Sequence, residues 1–289
     1  MTRTRLRLGV EAAAVRCGVT SLSRLAHRGR SIASTTTTFC PTMLDRQAIA
    51  RCICLDLASG ANWTCSSGPT ISFDDAYRGA VTLGVQELAN RGLPATIFVA
   101  PALLGGRSFW WDRLADAAIG HIPPDVRRLA LREFRGEDAK IRIGLEPSGP
   151  NVPMDSHHRS ATEEELARAV SMGHILLGSH SWSHRNLTFL DGNELADELV
   201  RPLEWLRQRF DAVIAWLSYP YGLVDRASSR AAAAAGYEAA LLASGAWWPR
   251  RPKDRYMLPR VNVPSGVSLH GFALRALGLG KRSMPWLGV

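Results

Sequence analysis

The sequence predicts an α/β fold, a barrel of parallel strands, and two observations support this. From Thr70 onward, short runs rich in β-branched and aromatic residues alternate with longer helical patterns, which is typical of parallel α/β construction. The chain has 289 residues, a length that α/β barrels commonly fill as one domain. We therefore predict an N-terminal extension at residues 1–68, a basic helix and then an irregular segment, followed by one domain at residues 69–289.

The predicted strands and helices alternate along most of the chain. Each candidate for chemistry lies where a strand becomes a loop, which is the rim where side chains from different strands of a barrel converge. Thr162 and Glu165 are spaced as a capping box at the start of one helix. The predicted strands are residues 69–73, 95–100, 174–178, 213–217, 239–243 and 260–263, and the predicted helices are residues 77–92, 162–172, 193–210 and 225–235.

A long insertion at residues 101–160 interrupts this alternation. It contains Trp110 and Trp111 and ends in a segment rich in glycine and proline. Loops over a rim often shape a substrate site, and a structural cap is the alternative. Both interpretations stay open.

The composition argues against several classes of protein. The net charge is +9, but no helix-turn-helix, zinc-finger or RNA-binding motif accompanies it, so we expect a basic surface and no nucleic-acid partner. Glu11 and Arg16 interrupt the apolar run that a signal peptide would need, which favours a cytoplasmic location. Residues 6–25 fit either a basic helix at a membrane surface or a helix packed on the domain. The five cysteines fit no disulfide or zinc pattern, and we interpret them as reduced thiols.

Two pairs of polar residues carry the candidate chemistry. Asp74 and Asp75 follow an apolar strand, and burying such charges is costly without a cation or a proton. His180 and His184 stand four apart, a spacing that can bring two imidazoles to one face of a helical turn. Asp75 with the two histidines would make a metal site with open positions, as in hydrolytic zinc enzymes.

Three motifs resemble those of the polysaccharide deacetylase family, also called the NodB homology or carbohydrate esterase 4 family. They are SFDD at residues 72–75, GSHSWSH at 178–184 and YPYG at 219–222. They occur in the family's order and with similar spacing, and the similarity covers residues 69–263. The resemblance implies a distorted barrel of about seven strands and helices.

The resemblance also implies a role for each matching residue. Asp75, His180 and His184 would bind a divalent metal, with Zn²⁺ the default, while Asp74 would be the general base that activates a water on the metal. Tyr221 would donate its backbone N–H to the oxyanion. The implied reaction removes an N-acetyl group from an amino-sugar oligo- or polysaccharide, or from a lipid-linked intermediate, and releases acetate.

The sequence also departs from the family pattern. Ser218 stands where many members have an arginine that clamps the catalytic aspartate, and Arg260 could supply that charge from another strand. Leu269 and His270 match the family's last motif, whose histidine protonates the leaving amine, although His270 could equally lie in the first turn of a helix. No Tyr-His element precedes Pro69, so we hypothesise that residues 31–66 are read in a shifted frame and that the barrel lacks its first strand.

These departures keep two alternatives open. One is hydrolysis of another C–N bond, such as that of a formamido sugar or a cyclic amide, at the same metal site. The other is a carbohydrate-binding module that has the fold but has lost turnover. Metal content and acetate release, measured on one preparation, would separate these alternatives from an active deacetylase.

Overall fold

The computed structural model describes residues 33–36, 70–115, 122–145, 154–245 and 254–263. Within these ranges, seven parallel strands form a closed barrel in chain order. The strands are β1 (Ala33–Thr36), β2 (Thr70–Phe73), β3 (Ala95–Val99), β4 (Ile175–Ser179), β5 (Val213–Ser218), β6 (Ala239–Gly245) and β7 (Leu258–Asn262). Each of the six strands predicted after residue 68 is present, which confirms the predicted fold class.

The first strand closes the ring. Ala33–Thr36 pairs in parallel with β2 on one side and with β7 on the other. This segment, ASTT, has no alternation of apolar and polar residues, so its strand character comes from the backbone pairing on both edges. The hypothesis that the barrel lacks its first strand is therefore wrong, because a strand pairs with β2 and β7 at this position. Most of residues 31–66 lie outside the described ranges, so the frame-shift hypothesis stays a prediction.

The α-helices within the described ranges are α1 (Val85–Ala89), α2 (Trp110–Arg113), α3 (Pro124–Arg132), α4 (Asp138–Leu145), α5 (Glu163–Ser171), α6 (Gly192–Arg209) and α7 (Arg226–Ala234). Four of these seven helices, α1, α5, α6 and α7, pack their apolar residues against the barrel strands, and the other three belong to the insertion. The predicted capping box begins α5: Thr162 Oγ1 accepts from the Glu165 amide at 3.2 Å, and the Glu165 carboxylate accepts from the Thr162 amide at 3.0 Å. The helix predicted over residues 77–92 is less regular, because a π-helical turn (Ala80–Gly84) precedes α1.

The barrel interior is filled by a small number of side chains. Phe98, on β3, is fully buried among Ala239, Leu241 and Leu258. A side chain at Gly178, on β4, would place its Cβ 2.6 Å from the Phe98 ring. The glycine of the second motif therefore makes room for the core inside the barrel.

The insertion has a core of its own, centred on Trp110 of α2 with Leu131 of α3 and Ile141 of α4. Tyr221, from the loop after β5, packs against this core. The insertion is also bound to the loop after β4, because the Asn186 side chain donates to the carbonyl of Leu131 at 3.0 Å. It is thus packed against two of the loops that carry the motifs.

Some predicted features lie outside the described residues. These are residues 1–32, the five cysteines and His270. Among the described helices, none is long and apolar enough to cross a membrane.

Candidate metal centre and base

Asp75, His180 and His184 come together at the carboxyl ends of β2 and β4. His184 Nε2 lies 3.1 Å and His180 Nε2 lies 3.4 Å from Asp75 Oδ1. The two Nε2 atoms are 3.1 Å apart, and all three side chains are buried. Within the described part of the chain, this is the one group of three such residues with the geometry of a metal site.

His180 and His184 lie on a loop, although their spacing suggested a helical turn. Residues 180–184 are irregular, and Ser181 and His184 have φ values of 61° and 59°. These left-handed residues turn the chain so that both imidazoles face Asp75. The His184 amide donates to Ser181 Oγ at 3.0 Å, which stabilises the turn.

The three donor atoms fit a borderline divalent ion. His180 Nδ1 lies 2.7 Å from the carbonyl oxygen of Ser218. If Nδ1 carries the proton and donates it there, Nε2 is left with a free lone pair, as in many metal-binding histidines. Asp75 Oδ1 is buried, and none of the described residues hydrogen-bonds to it. One carboxylate oxygen and two imidazole nitrogens are a ligand set that zinc accepts while keeping an open position.

The charge states of Asp75 and His184 suit metal binding, whereas a metal ion would have to displace a proton from His180. Burial opposes ionisation of Asp75, but the nearby His184 and His180 more than offset it and hold the pKa of Asp75 well below its usual range. Burial lowers the pKa of His184, which favours the neutral ligand form. The pKa of His180 is raised, since the negative charges of Asp74 and Asp75 outweigh the effect of burial.

Asp74 points to a different partner, the guanidinium of Arg260 on β7. Arg260 donates from Nη1 to Asp74 Oδ1 at 2.9 Å and from Nη2 to Oδ2 at 2.8 Å. Arg260 is completely buried, and its Nε donates to the carbonyl of Leu242 at 3.0 Å. The structure therefore places Arg260 where the sequence analysis looked for a replacement clamp.

Ser218 and Ser72 complete the contacts of this pair. Ser218 Oγ donates to Asp74 Oδ2 at 3.0 Å and lies 2.6 Å from Arg260 Nη2, from which it accepts. Ser72 Oγ accepts from Arg260 Nη1 at 3.2 Å. Ser218 stands where many family members have an arginine in the third motif. It thus contacts both Asp74 and the guanidinium of Arg260, which comes from β7.

The net electrostatic effect on Asp74 favours its carboxylate. Burial would raise the pKa of Asp74, but the charges of Arg260 and His180, together with the bidentate hydrogen bonds, bring that pKa below its ordinary value of 3.8. Asp74 is therefore an anion at neutral pH, as a general base must be.

Aromatic rings form one wall of the site. The Tyr221 ring lies edge-on to the His184 imidazole with centroids 4.4 Å apart, and the Trp111 ring lies 4.7 Å from the same imidazole. Trp110 Nε1 donates to the Tyr221 hydroxyl at 3.2 Å. The insertion thus contributes to the site itself, which agrees with the first of the two interpretations left open by the sequence.

Tyr221 also has a left-handed backbone, with a φ of 59°. Of seven non-glycine residues with positive φ in the described chain, five lie in the motif loops: Asp75, Ala76, Ser181, His184 and Tyr221. Left-handed backbone is unfavourable for such residues, and its concentration here is typical of a functional site.

The sequence analysis missed Trp111 as a neighbour of the metal site and Ser72 as a partner of Arg260. Trp111 was noted only as part of the insertion, because no local pattern shows which strand end a long loop will cover. Ser72 could have been found, since it lies two residues before Asp74 and alternation puts both on one face of β2.

Residues 67–240 match the profile of the Polysaccharide deacetylase family. The chain belongs to the polysaccharide deacetylase family. Three solved structures share the fold of this deacetylase. The putative polysaccharide deacetylase BA0330 from Bacillus anthracis has 13% identity and a TM-score of 0.57, covering 86% of this chain and 69% of that chain. IcaB from Ammonifex degensii has 14% identity and a TM-score of 0.53, covering 86% and 97%.

The third structure is the Streptococcus pyogenes deacetylase PplD in complex with acetate, with 12% identity, a TM-score of 0.50 and coverage of 86% and 97%. At these identities the likeness establishes the fold alone. No curated protein matches the sequence.

Proposed function

We propose that this deacetylase removes an N-acetyl group from an amino sugar in an oligo- or polysaccharide, or in a lipid-linked intermediate of its synthesis. The observation that carries the proposal is that the two neighbouring aspartates, Asp74 and Asp75, have different partners. Asp75 joins two histidines in a buried ligand set, while Asp74 is kept anionic by Arg260. Metal-dependent hydrolysis of an amide uses a Lewis acid and a base, and the residues that could hold the one and supply the other are neighbours here.

The ligand set of Asp75, His180 and His184 would hold a divalent ion, with zinc the default. When bound, such an ion supplies Lewis-acid chemistry at the amide carbonyl and makes a water molecule more acidic. The open positions of a three-ligand site are what a hydrolytic zinc requires.

Asp74 is the proton acceptor in the proposed reaction. The oxygen of the attacking water forms a bond to the acyl carbon, and the water proton passes to the Asp74 carboxylate. Arg260 and Ser218 hold both carboxylate oxygens, so the base is oriented before the substrate arrives. Such preorganisation lowers the barrier because no side chain has to be reoriented during the reaction.

The backbone amide of Tyr221 is the proposed donor to the oxyanion. Two features of Tyr221 support this role: its backbone is left-handed, and its ring packs against the imidazole of His184. A donor fixed in place stabilises the charge that develops on the carbonyl oxygen.

The reaction ends when the C–N bond breaks and the amine takes a proton, which leaves a free amino sugar and acetate. His270, outside the described residues, is the candidate acid from the family's last motif. Family membership supports an amino-sugar polysaccharide as the substrate class. The cytoplasmic location and a contact with a membrane surface or a lipid-linked substrate are proposals from the sequence.

The absence of an arginine from the third motif no longer favours the alternative of a carbohydrate-binding module that has lost turnover. That alternative was motivated by Ser218 and by the unusual N-terminal segment, and the contacts of Arg260 with both Ser218 and Asp74 argue against the first of these two reasons. Hydrolysis of a formamido sugar or a cyclic amide at the same site is tested by including such compounds in the substrate screen.

The test compares the wild-type protein with D74N on N-acetylated chito-oligosaccharides, with zinc content measured in the same preparations. We expect D74N to keep its metal and to lose turnover by a factor of at least about 10², since general bases contribute on the order of 10²–10⁴. The matched control is D211N, which changes an exposed aspartate and should retain activity. Equal turnover in D74N and wild type would contradict the proposal.

A further inference from the structure

A buried acid on α6, Glu198, lies beneath the loop that carries the two histidines. Its exposed fraction is 4%, and no motif of the sequence includes it. The carboxylate accepts from the Ser183 amide at 2.9 Å through Oε2 and from the Ser183 hydroxyl through Oε1. Both carboxylate oxygens of Glu198 thus accept hydrogen bonds from Ser183, the residue that directly precedes His184.

The main chain and the next turn of α6 contact the same loop. The Trp182 amide donates to the carbonyl oxygen of Glu198 at 2.9 Å. The Arg201 guanidinium lies 3.7 Å above the Trp182 ring. Two consecutive amides of the loop are therefore bound to one helical residue, and a stacked arginine fixes the adjoining side chain.

The loop needs such an external support. Ser181 and His184 both have left-handed backbone, a conformation that costs roughly 1–2 kcal/mol per non-glycine residue. A short loop with two such residues relaxes unless its surroundings hold it. The hydrogen bonds from Trp182 and Ser183 to Glu198 lie between the two strained positions.

We propose that Glu198 is a positioning residue that holds the 180–184 loop in the conformation that directs His184 toward Asp75 and so sets the affinity for the metal. This inference rests on the proposed metal-dependent function. Groups that orient metal ligands from outside the coordination shell typically change metal affinity by 10–100-fold when they are removed. Glu198 acts one residue away from the ligand, through the backbone of Ser183.

The hydrogen bonds, and not the negative charge, are the feature that should matter. A glutamine at this position can accept from the Ser183 amide through its oxygen and donate to the Ser183 hydroxyl through its nitrogen. E198Q should therefore keep the loop in place, while E198A leaves the amide of Ser183 without its partner.

The experiment measures zinc affinity by competition with a chelator for the wild-type protein, E198A, E198Q and S183A. The matched control is E204A, which removes an exposed glutamate from the same helix. The stability of each metal-free protein is measured in parallel by chemical denaturation, and turnover is measured at saturating zinc.

We expect E198A to bind zinc about 10–100-fold more weakly and E198Q to recover most of that loss. S183A removes the hydroxyl but keeps the amide, so we expect a weakening of roughly 2–10-fold, the effect of one hydrogen bond. E204A should bind like the wild type.

A stable E198A protein with wild-type affinity would overturn the proposal, as would a loss of metal-free stability without a loss of affinity. If E198A does not fold, S183A decides the question, because wild-type affinity in that variant would equally contradict the role. A wild-type protein that binds no zinc would contradict both this inference and the proposed function, whereas an active wild type beside an unchanged E198A contradicts this inference alone.

Discussion

Asp74 and Asp75 are neighbours in the chain, and their surroundings differ. Asp75 faces two imidazoles at 3.1 and 3.4 Å, while Asp74 is held by the guanidinium of Arg260. The local sequence predicted both aspartates and both histidines, because the motifs are contiguous. The pairing of Asp74 with Arg260 joins residues 186 positions apart, and only the barrel brings them together. It was predicted as an option because the third motif lacks its arginine.

Replacement of Arg260 by methionine should destabilise the protein at neutral pH by about 3–5 kcal/mol, since it leaves the Asp74 carboxylate buried without its partner. The folded pKa of Asp74 is lowered. Its stabilising contribution is therefore present above the ordinary value of 3.8 and is lost as the pH falls through the folded pKa. The difference from wild type, measured by denaturation of metal-free protein, should shrink as the pH falls, first through the raised pKa of Asp74 in the variant and then below 3.8.

The same substitution should raise the pKa of Asp74, because burial is then no longer offset by Arg260, and the acid limb of the pH–activity profile should move to higher pH. The control is R230M, which changes an exposed arginine of α7. Wild-type stability and an unmoved acid limb in R260M would contradict the assigned role of the guanidinium.

Asp112 gives a second pH-dependent prediction. Burial and the nearby charge of Asp75 raise the pKa of Asp112 to about 7, although the Tyr77 hydroxyl donates to its carboxylate at 2.7 Å. An aspartate with a raised folded pKa contributes full stability below about 3.8, and this contribution is lost as the pH rises to about 7. D112N, which stays neutral, should therefore gain stability relative to wild type across this window.

The expected gain is about 4 kcal/mol by pH 8, because each pKa unit between 3.8 and about 7 is worth about 1.4 kcal/mol. It is measured as the difference in unfolding free energy between metal-free D112N and wild type. D211N, at an exposed site, serves as the reference. If the difference in unfolding free energy between D112N and wild type does not change between pH 4 and pH 8, the pKa of Asp112 is not raised in the folded protein.

At the scale of elements, the loops were harder to predict than the strands and helices. The bounds of α5 followed from Thr162 and Glu165, because a capping box is local chemistry. The spacing of His180 and His184 suggested a helical turn, and the structure has a loop with left-handed residues. Backbone conformations of this kind are set by contacts with other elements, so one segment of sequence does not reveal them.

Gly136 lies where the insertion meets Asn186 and the Tyr221 ring. Its φ is 73°, and a Cβ there would lie 2.8 Å from the Asn186 amide nitrogen and 3.1 Å from the Tyr221 ring. We expect G136A to lose more than about 2 kcal/mol of stability, because a left-handed alanine costs roughly 1–2 kcal/mol before the clash is added. Turnover should fall as well, since the Tyr221 ring must move.

G92A is the matched control for this prediction. Gly92 has a φ of 63°, and its Cβ would meet nothing within 4 Å, so the variant carries the conformational cost alone. Denaturation and turnover of the two variants separate backbone strain from displacement of the site. Equal losses of stability with full activity in G136A would mean that the insertion does not position Tyr221.

At the scale of the whole molecule, the barrel brings together residues from β2, β4, β5 and β7. The alternation of strands and helices predicted this architecture, and it placed Asp74, Asp75 and His180 just after strand ends. The closing strand could not be predicted, because Ala33–Thr36 has no apolar periodicity and is defined by its pairing with β2 and β7. The position of the insertion depends on packing around Trp110 and Tyr221, which has no local signature.

The central claim is that a single divalent ion held by Asp75, His180 and His184 works together with Asp74 to release acetate. The most direct test is the rate of acetate release from an N-acetylated chito-oligosaccharide while metal-free protein is titrated with zinc. We predict no release without metal, a linear rise that levels off at about one equivalent, and zinc uptake without release in D74N. Full activity in the metal-free protein, or wild-type release by D74N, would contradict the account.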